Sequence, residues 1–228
     1  ALGSENVIGI SLPSKFSSNH SVDDARKLSE HLGIEYRLIS IDSLFNEIKA
    51  QLQDFRDSEE HGTVEENLQA RIRGNLLMAV SNKSGALLLN TGNKTEIALG
   101  YCTMYGDMCG AIGVISDLNK EQVYKVSKWI NKTFKQNLIP GNVINKKPSA
   151  ELSPDQYDPF DYSVVSPLVD EIINNQMDRN QLIGLGYDVE TVDEILNLVN
   201  RSEYKRKQSC PGIRVSSKAF GSGRRFPV

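Results

Sequence analysis

The chain has 228 residues, 39% of them hydrophobic and 7% aromatic, and its 26 Lys and Arg against 29 Asp and Glu give a formal net charge of −3. Such a length can bury a substantial core as one large α/β domain or a domain with an appendage, and the mild acidity argues against a general nucleic-acid binder. No apolar run approaches the ~18 residues of a membrane span and no signal-peptide pattern opens the sequence, so a cytoplasmic protein with no membrane partner is expected.

Val7 to Ser11 is a β-branched run closed by Pro13 and reads as a strand. Leu2-Gly3 before it reads as a helix C-terminus capped by Gly3, which places the start of the domain upstream. Ser21 with Asp24 predicts a capping box for a helix with Ala25, Leu28 and Leu32 on one face, ended by Gly33. Glu35 to Ile41 reads as a second strand, and Asp42 is the expected cap of a helix with Leu44, Phe45, Ile48 and Leu52 on its apolar side. Strand, helix, strand, helix is the order of a parallel sheet covered by helices, with its ligand crevice at the carboxyl ends of the strands.

Gln53 to Thr63 is polar and reads as a loop, and from Val64 the spacing predicts the best-formed helix, with Leu68, Ile72, Leu76 and Val80 completing a buried stripe. Asn67, Arg71 and Asn75 repeat on another face; an arginine between two amides either binds a carboxylate, phosphate or ribose or is an exposed helix face. The apolar run Ala86 to Asn90 ends in Thr91-Gly92, and a polar segment with Lys94 and Glu96 begins at once. That is the grammar of a buried strand delivering a helix N-terminus: either an ordinary turn, or a site where N–H groups meet a phosphate and Glu96 holds a magnesium ion beside it.

Cys102 to Val114, with Gly106, Gly110 and Gly113, reads as a loop around a ligand or another subunit. Asp117 to Asn119 is expected to cap a helix with Val123, Val126, Ile130 and Phe134 inside. Lys120 in its first turn opposes the helix dipole, a mild conflict that an anionic ligand would relieve. Four prolines between Pro140 and Pro159 mark an irregular segment, and helices are predicted for Ser166 to Asn175 and Asp188 to Gln208. Cys102, Cys109 and Cys210 form no CxxC pair and His20, His31 and His61 lack ligand spacing, so free thiols are expected and histidine-based metal chemistry is not. After Glu203 no acidic residue occurs, while Lys205, Arg206, Lys207, Arg214, Lys218, Arg224 and Arg225 are cationic: either an anion-seeking tail or a solvated one.

Four segments in register carry a family resemblance: Val64-Glu-Glu-Asn-Leu-Gln-Ala-Arg-Ile-Arg-Gly-Asn-Leu-Leu-Met, Thr91-Gly-Asn-Lys-Thr-Glu96, Gly100-Tyr-Cys-Thr-Met-Tyr-Gly-Asp107 and Lys147-Pro-Ser-Ala-Glu-Leu152. With Glu203-Tyr-Lys-Arg-Lys-Gln-Ser-Cys-Pro-Gly and Ser216-Ser-Lys-Ala-Phe-Gly-Ser-Gly-Arg-Arg at the end, the chain resembles the NAD synthetases, more closely the synthetase domain of the long, glutamine-dependent kind. The resemblance implies an α/β, adenine nucleotide alpha hydrolase-like fold of the ATP pyrophosphatase type. It also implies ATP-dependent amidation of deamido-NAD through an adenylated intermediate, releasing AMP and pyrophosphate. Magnesium is the implied cofactor, ammonia comes from glutamine through an upstream glutaminase domain, and a homodimer is expected. No covalent nucleophile is needed, because the substrate carboxylate and ammonia supply both. By the same resemblance Thr91, Lys120 and Ser149 bind ATP, Glu96 binds the metal, and Asn67, Arg71, Tyr101, Thr103 and Lys218 contact deamido-NAD.

Two departures from the family pattern stand out. Met104 and Ala111 replace a lysine and an aspartate that the short, ammonia-dependent enzymes use for deamido-NAD. The pyrophosphate loop Ser-Gly-Gly-x-Asp-Ser and the strand before it do not occur in this sequence, so residues 1–228 are expected to be a single synthetase domain lacking them, inactive alone, with 203–228 as a basic tail closing on the substrate. The alternatives are another ATP pyrophosphatase of the same fold, of GMP synthetase-like or tRNA-modifying type, and a non-catalytic dimerisation or regulatory module.

Overall fold

A computed structural model describes residues 2–52, 62–134 and 137–221. Most of the 53–63 loop, with His61, and the end of the basic tail, with Arg224 and Arg225, lie outside the described residues. The chain forms two compact units, residues 1–73 with 124–159 and residues 74–123 with 160–228.

In the first unit β1 (Ile8–Ser11) runs parallel to β2 (Glu35–Leu38), with Ile8 opposite Glu35 and Ser11 opposite Leu38, and α1 (Asn19–Leu32) is the crossover between them. Two tightly spaced parallel strands need such a helical connection. The α1 cap is Ser18, whose hydroxyl accepts the Ser21 N–H at 3.2 Å, rather than the predicted Ser21. A serine anywhere near the first turn gives the same sequence signal; the backbone bend at Ser18, φ −68° and ψ 145°, decides which one caps. Gly33 ends α1 in the left-handed conformation, as expected. Gly3, by contrast, precedes a short 3-10 turn at Ser4–Asn6 with φ 84° and ψ 139°, so it is not a helix C-cap.

In α2 (Asp42–Gln51) only Phe45 is fully buried, while Leu44, Ile48 and Leu52 stay exposed, and Asp42 is the first helical residue, accepting the Lys15 N–H at 2.8 Å. The helix α3 (Thr63–Ser84) begins in this unit and ends in the other. Its deepest positions are Glu65, Gln69, Ala70 and Ile72, whereas Val64 is 42% exposed, so the buried face is rotated from the predicted stripe. Polar anchoring explains the rotation: Lys49 Nζ lies 2.6 Å from Glu65 Oε1, Gln69 donates to the Leu152 carbonyl at 2.7 Å, and Arg73 donates to the Leu12 carbonyl at 2.9 Å.

The second unit contains β3 (Leu89–Asn90), α4 (Lys94–Leu99) and β4 (Ile112–Gly113), with β3 and β4 parallel. A strand therefore interrupts the segment read as a glycine-rich loop. The helix α5 (Lys120–Thr133) starts here under an Asn119 cap and continues into the first unit, which also holds the short α6 (Gly141–Asn145). Val126 and Phe134, expected inside, are 42% and 59% exposed. The remaining helices are α7 (Tyr162–Ile173), α8 (Arg179–Gly184), α9 (Val189–Arg201) and α10 (Glu203–Arg206). The predicted single helix from Asp188 is interrupted at Ser202, between α9 and α10, where the Ser202 hydroxyl donates to the Leu99 carbonyl at 3.0 Å. Asp188 caps α9 as predicted.

Ala98 and Leu99 of α4 join Val165, Leu168, Val169, Ile172 and Ile173 of α7, Leu182 of α8 and Val192, Ile195 and Val199 of α9 in one apolar core. Truncating any of the larger of these to alanine would cost about 2–5 kcal/mol, so α4 is held rigidly where it carries the polar residues described next.

Candidate active site

The strand β3 ends in Asn90, which shapes the turn beyond it. Its amide donates to the Asp107 carbonyl at 2.7 Å and the Cys109 carbonyl at 3.1 Å, and its side-chain oxygen accepts the Gly92 N–H at 2.9 Å. This Asx turn delivers the chain into Asn93, which forms a capping box with Glu96: Asn93 Oδ1 accepts the Glu96 N–H at 3.1 Å and Glu96 Oε2 accepts the Asn93 N–H at 3.2 Å. The predicted strand-to-helix junction is thus built by local hydrogen bonds around Thr91, which stays exposed.

Glu96 and Lys120 come together from sequence positions 24 residues apart. Lys120 Nζ lies 2.8 Å from Glu96 Oε1 and 5.2 Å from the centre of the Tyr162 ring. The pair is about one fifth exposed on both sides, so the two charges remain accessible to a ligand. A cavity of about 110 Å³ opens beside them, bounded by Thr91, Glu96, Tyr101, Asp107, Ser209 and Cys210 among others. Ligand pockets usually occupy roughly 300–1,000 Å³, so this cavity alone takes only part of a nucleotide.

The wall after α4 is fixed by two devices. Gly100 adopts φ 69°, and a side chain there would collide with Ser202. Asp107 Oδ1 accepts the Thr103 N–H at 2.6 Å, closing the loop, while a Cβ on Gly74 of α3 would come within 2.9 Å of the Tyr105 and Gly106 carbonyls. Tyr101 packs edge-on against Phe160 at 5.6 Å. Asp107 reaches solvent yet is surrounded by protein; that crowding, only partly offset by the Thr103 N–H, pushes its carboxyl up to about 6, with the Glu96 charge adding to the rise. Burial, then the Asp107 charge, push the Cys102 thiol up to about 12. The three cysteines are free thiols.

Thr91, Glu96 and Tyr101 therefore share one cavity, Lys120 is paired to Glu96, and Thr103 is buried behind the wall. Lys218 is half-buried in the same unit and has no hydrogen bond or ion pair among the described residues. Asn67 and Arg71 lie on α3 in the first unit, partly and largely exposed respectively. Ser149 is also in that unit, beside a second cavity of about 620 Å³. Its hydroxyl donates to the Gln156 carbonyl at 2.5 Å and accepts the Glu151 N–H at 3.0 Å. Next to it Glu151 takes hydrogen bonds from Ser18, Ser21 and Lys146, which outweigh its desolvation and hold its carboxyl below the usual range.

Among the described residues no group of three or more His, Cys, Asp or Glu could hold a metal ion. A magnesium ion needs fewer: it keeps several waters and takes one or two carboxylates plus substrate phosphates. Glu96, with partly exposed oxygens, fits as one such carboxylate, and Lys120 beside it fits the phosphates.

Sequence reasoning missed the use of several cations. Lys205 Nζ donates to the Gly100 and Cys102 carbonyls, both at 2.7 Å, and Arg206 donates to the Ala98 carbonyl at 2.8 Å and to Glu203 Oε2 at 2.8 Å. These tail cations neutralise the carbonyl end of α4 rather than a bound anion. Lys94, which is fully buried, meets Asp170 at 3.0 Å and Asp117 at 3.4 Å. Asn90 and Asp107 were legible only as members of motifs, not as the residues that shape the turn and the wall.

The NAD synthase family model matches residues 1–209. The glutamine-dependent NAD(+) synthetase of Synechocystis is 44% identical over the whole chain, and the chain spans 41% of that protein's length. Among solved structures, glutamine-dependent NAD+ synthetase from Acinetobacter baumannii in complex with adenosine diphosphate is 36% identical with a TM-score of 0.62, over 99% of this chain and 41% of that one. NMN synthetase from Francisella tularensis is 27% identical with a TM-score of 0.72, over 92% of this chain and 77% of that one. These neighbours share the parallel α/β arrangement of the ATP pyrophosphatase type, and on the extent of these matches the chain belongs to the NAD synthase family.

Proposed function

We propose that the protein carrying this chain amidates deamido-NAD to NAD at the expense of ATP. A nicotinate carboxylate oxygen attacks the α-phosphorus and pyrophosphate leaves; ammonia then attacks the acyl carbon, AMP departs and the nitrogen gives up its extra proton. The observation that carries this reading is the Glu96–Lys120 pair at the α4 start, beside Thr91 at the carboxyl end of β3. One carboxylate for a metal and one cation for phosphates, fixed on rigid elements at a strand end, suit adenylation, in which catalysis is mostly positioning and charge stabilisation. Bound magnesium would neutralise the polyphosphate. Lys120, released from Glu96, binds an ATP phosphate, and Thr91 and Ser149 contact the nucleotide. Asn67, Arg71, Tyr101, Thr103 and Lys218 hold deamido-NAD. Ammonia comes from glutamine through a glutaminase domain, as the names of the relatives suggest, in a cytoplasmic homodimer.

The test is a substrate panel with the full-length protein: deamido-NAD, the deamidated form of NMN, xanthosine monophosphate and tRNA, each with ATP and ammonia. NMN's precursor is included because one similar structure is an NMN synthetase. NAD formation with AMP release supports the reading; turnover of only the last two substrates, or of none, would sink it.

A further inference from the structure

The tail that carries Lys218 is fastened to the second unit at defined points. Gly113 of β4 donates its N–H to the Pro211 carbonyl at 2.8 Å and accepts the Ile213 N–H at 3.1 Å. Further on, one carboxylate takes three hydrogen bonds from two adjacent residues: Asp117 Oδ2 accepts the Val215 N–H at 2.7 Å and the Ser216 N–H at 2.6 Å, and Oδ1 accepts the Ser216 hydroxyl at 2.8 Å. Asp117 is 2% exposed, and its countercharge is the buried Lys94, at 3.4 Å. Lys94 is itself held by Asn174 at 2.9 Å and by Asp170, whose other oxygen accepts from Asn119, the cap of α5, at 2.5 Å. Beyond Lys218 the tail is anchored again, by buried Ala219 and by Phe220 stacked 4.9 Å from the Arg206 guanidinium.

Lys218 therefore sits between two fixed points, two residues from Ser216 and one from Ala219, while its own ammonium is unpaired among the described residues. Two residues of chain span at most about 7 Å, so the Asp117 bonds restrict where that ammonium can reach. Asp117 also lies in the Ile115–Leu118 turn, three residues before Lys120 opens α5. A carboxylate buried with its own lysine and aimed at the backbone of a cationic tail does more than close a turn.

We propose that Asp117, with Lys94 as its countercharge, is a positioning residue that holds Lys218 for the dinucleotide substrate. This rests on the reading above that the protein amidates deamido-NAD and that Lys218 contacts that substrate. Asparagine at 117 can keep its oxygen on the Val215 and Ser216 N–H groups, but it loses the charge that strengthens those bonds and turns its NH2 toward the Ser216 hydroxyl and the Lys94 ammonium, so the Lys94 pair is lost.

In the full-length protein Asp117→Asn should raise KM for deamido-NAD about tenfold or more, the cost of a lost charge-assisted hydrogen bond, and leave KM for ATP within about twofold. In a Lys218→Ala background the same substitution should add less than about twofold, because both act on one contact. Effects that multiply fully, or an equal rise for ATP, would overturn the proposal. Ser216→Ala, which spares the two amide bonds and the Lys94 pair, should give a smaller rise of the same kind and serves if Asp117→Asn misfolds; no rise in the folded protein counts against the proposal. Hydrogen exchange at the Val215 and Ser216 amides reads the fastening without any reaction: protection should be lost in Asp117→Ala, which removes their shared acceptor, and unchanged protection refutes it. A wild-type protein that does not amidate deamido-NAD would overturn the functional reading and with it the role of Lys218, while the exchange result still judges the Asp117 contact.

Discussion

Replacing Arg206 by methionine tests whether the basic tail serves the fold or an anion. Arg206 is 7% exposed and its guanidinium is shared between Glu203, at 2.8 Å, and the carbonyls of Ala98, at 2.8 Å, Ile97, at 3.4 Å, and Val199. Methionine fills much of the volume but leaves Glu203, 4% exposed, as an unpaired buried charge. Breaking such a pair typically costs about 3–5 kcal/mol. Each stranded carbonyl adds up to about 1–3 kcal/mol, although these costs overlap and do not sum. At roughly 2–4 °C per kcal/mol for a protein of this size, Tm should fall by about 6 °C or more. Thermal and urea unfolding, followed by circular dichroism, measure this directly. The double variant Glu203→Gln/Arg206→Met should recover part of the loss, since the lone charge is gone. Titrating phosphate into wild type supplies the opposing arm: if Arg206 serves a bound anion, phosphate should stabilise wild type and not the variant. A drop in Tm below about 2 °C, together with such phosphate-dependent stabilisation, would refute the structural role assigned to Arg206.

Glu96→Gln keeps the Asn93 capping box, because glutamine accepts the same N–H, but removes the charge offered to a metal and to Lys120; pyrophosphate release should fall at least about a hundredfold with little change in melting, and normal release would make Glu96 purely structural. Asp107, raised from 3.8 to about 6, binds its proton more tightly in the folded state, so its contribution favours the fold at low pH and is lost as pH rises from about 4 through 6. Asp107→Asn should accordingly stabilise the protein relative to wild type more at pH 8 than at pH 4, and a Tm difference that does not change with pH would contradict this. Cys102, raised from 9.0 to about 12, should react with iodoacetamide at pH 8 about a thousandfold more slowly than the same thiol in urea, as followed by mass spectrometry of the labelled peptide; equal rates would show that the thiol is not shielded.

The sequence by itself determined the features that depend on neighbours within a few positions. The Thr91–Glu96 junction, the Asn119 and Asp188 caps and the Gly33 stop were legible because a cap or a turn is a contract among three or four consecutive residues. The family segments were legible because their order and spacing survive without any knowledge of packing. Tertiary structure decided how charge is spent. Lys205 and Arg206 carry the same sequence signal as Lys218, yet two of them close the carbonyl end of α4 and the third is left without a partner among the described residues. Lys94, inside a polar helix start, becomes a buried countercharge for Asp117 and Asp170. Nothing local distinguishes these lysines and arginines, since a carboxylate, a helix C-terminus and a ligand phosphate all stabilise a cation. Which of them it meets depends on elements about a hundred residues away, as the Lys205 bond to Gly100 and the Asp117 bonds to Val215 and Ser216 show. The same long-range choice rotated the buried face of α3 toward Gln69 and Arg73, where hydrogen bonds to distant carbonyls outweighed the fourth-residue apolar repeat.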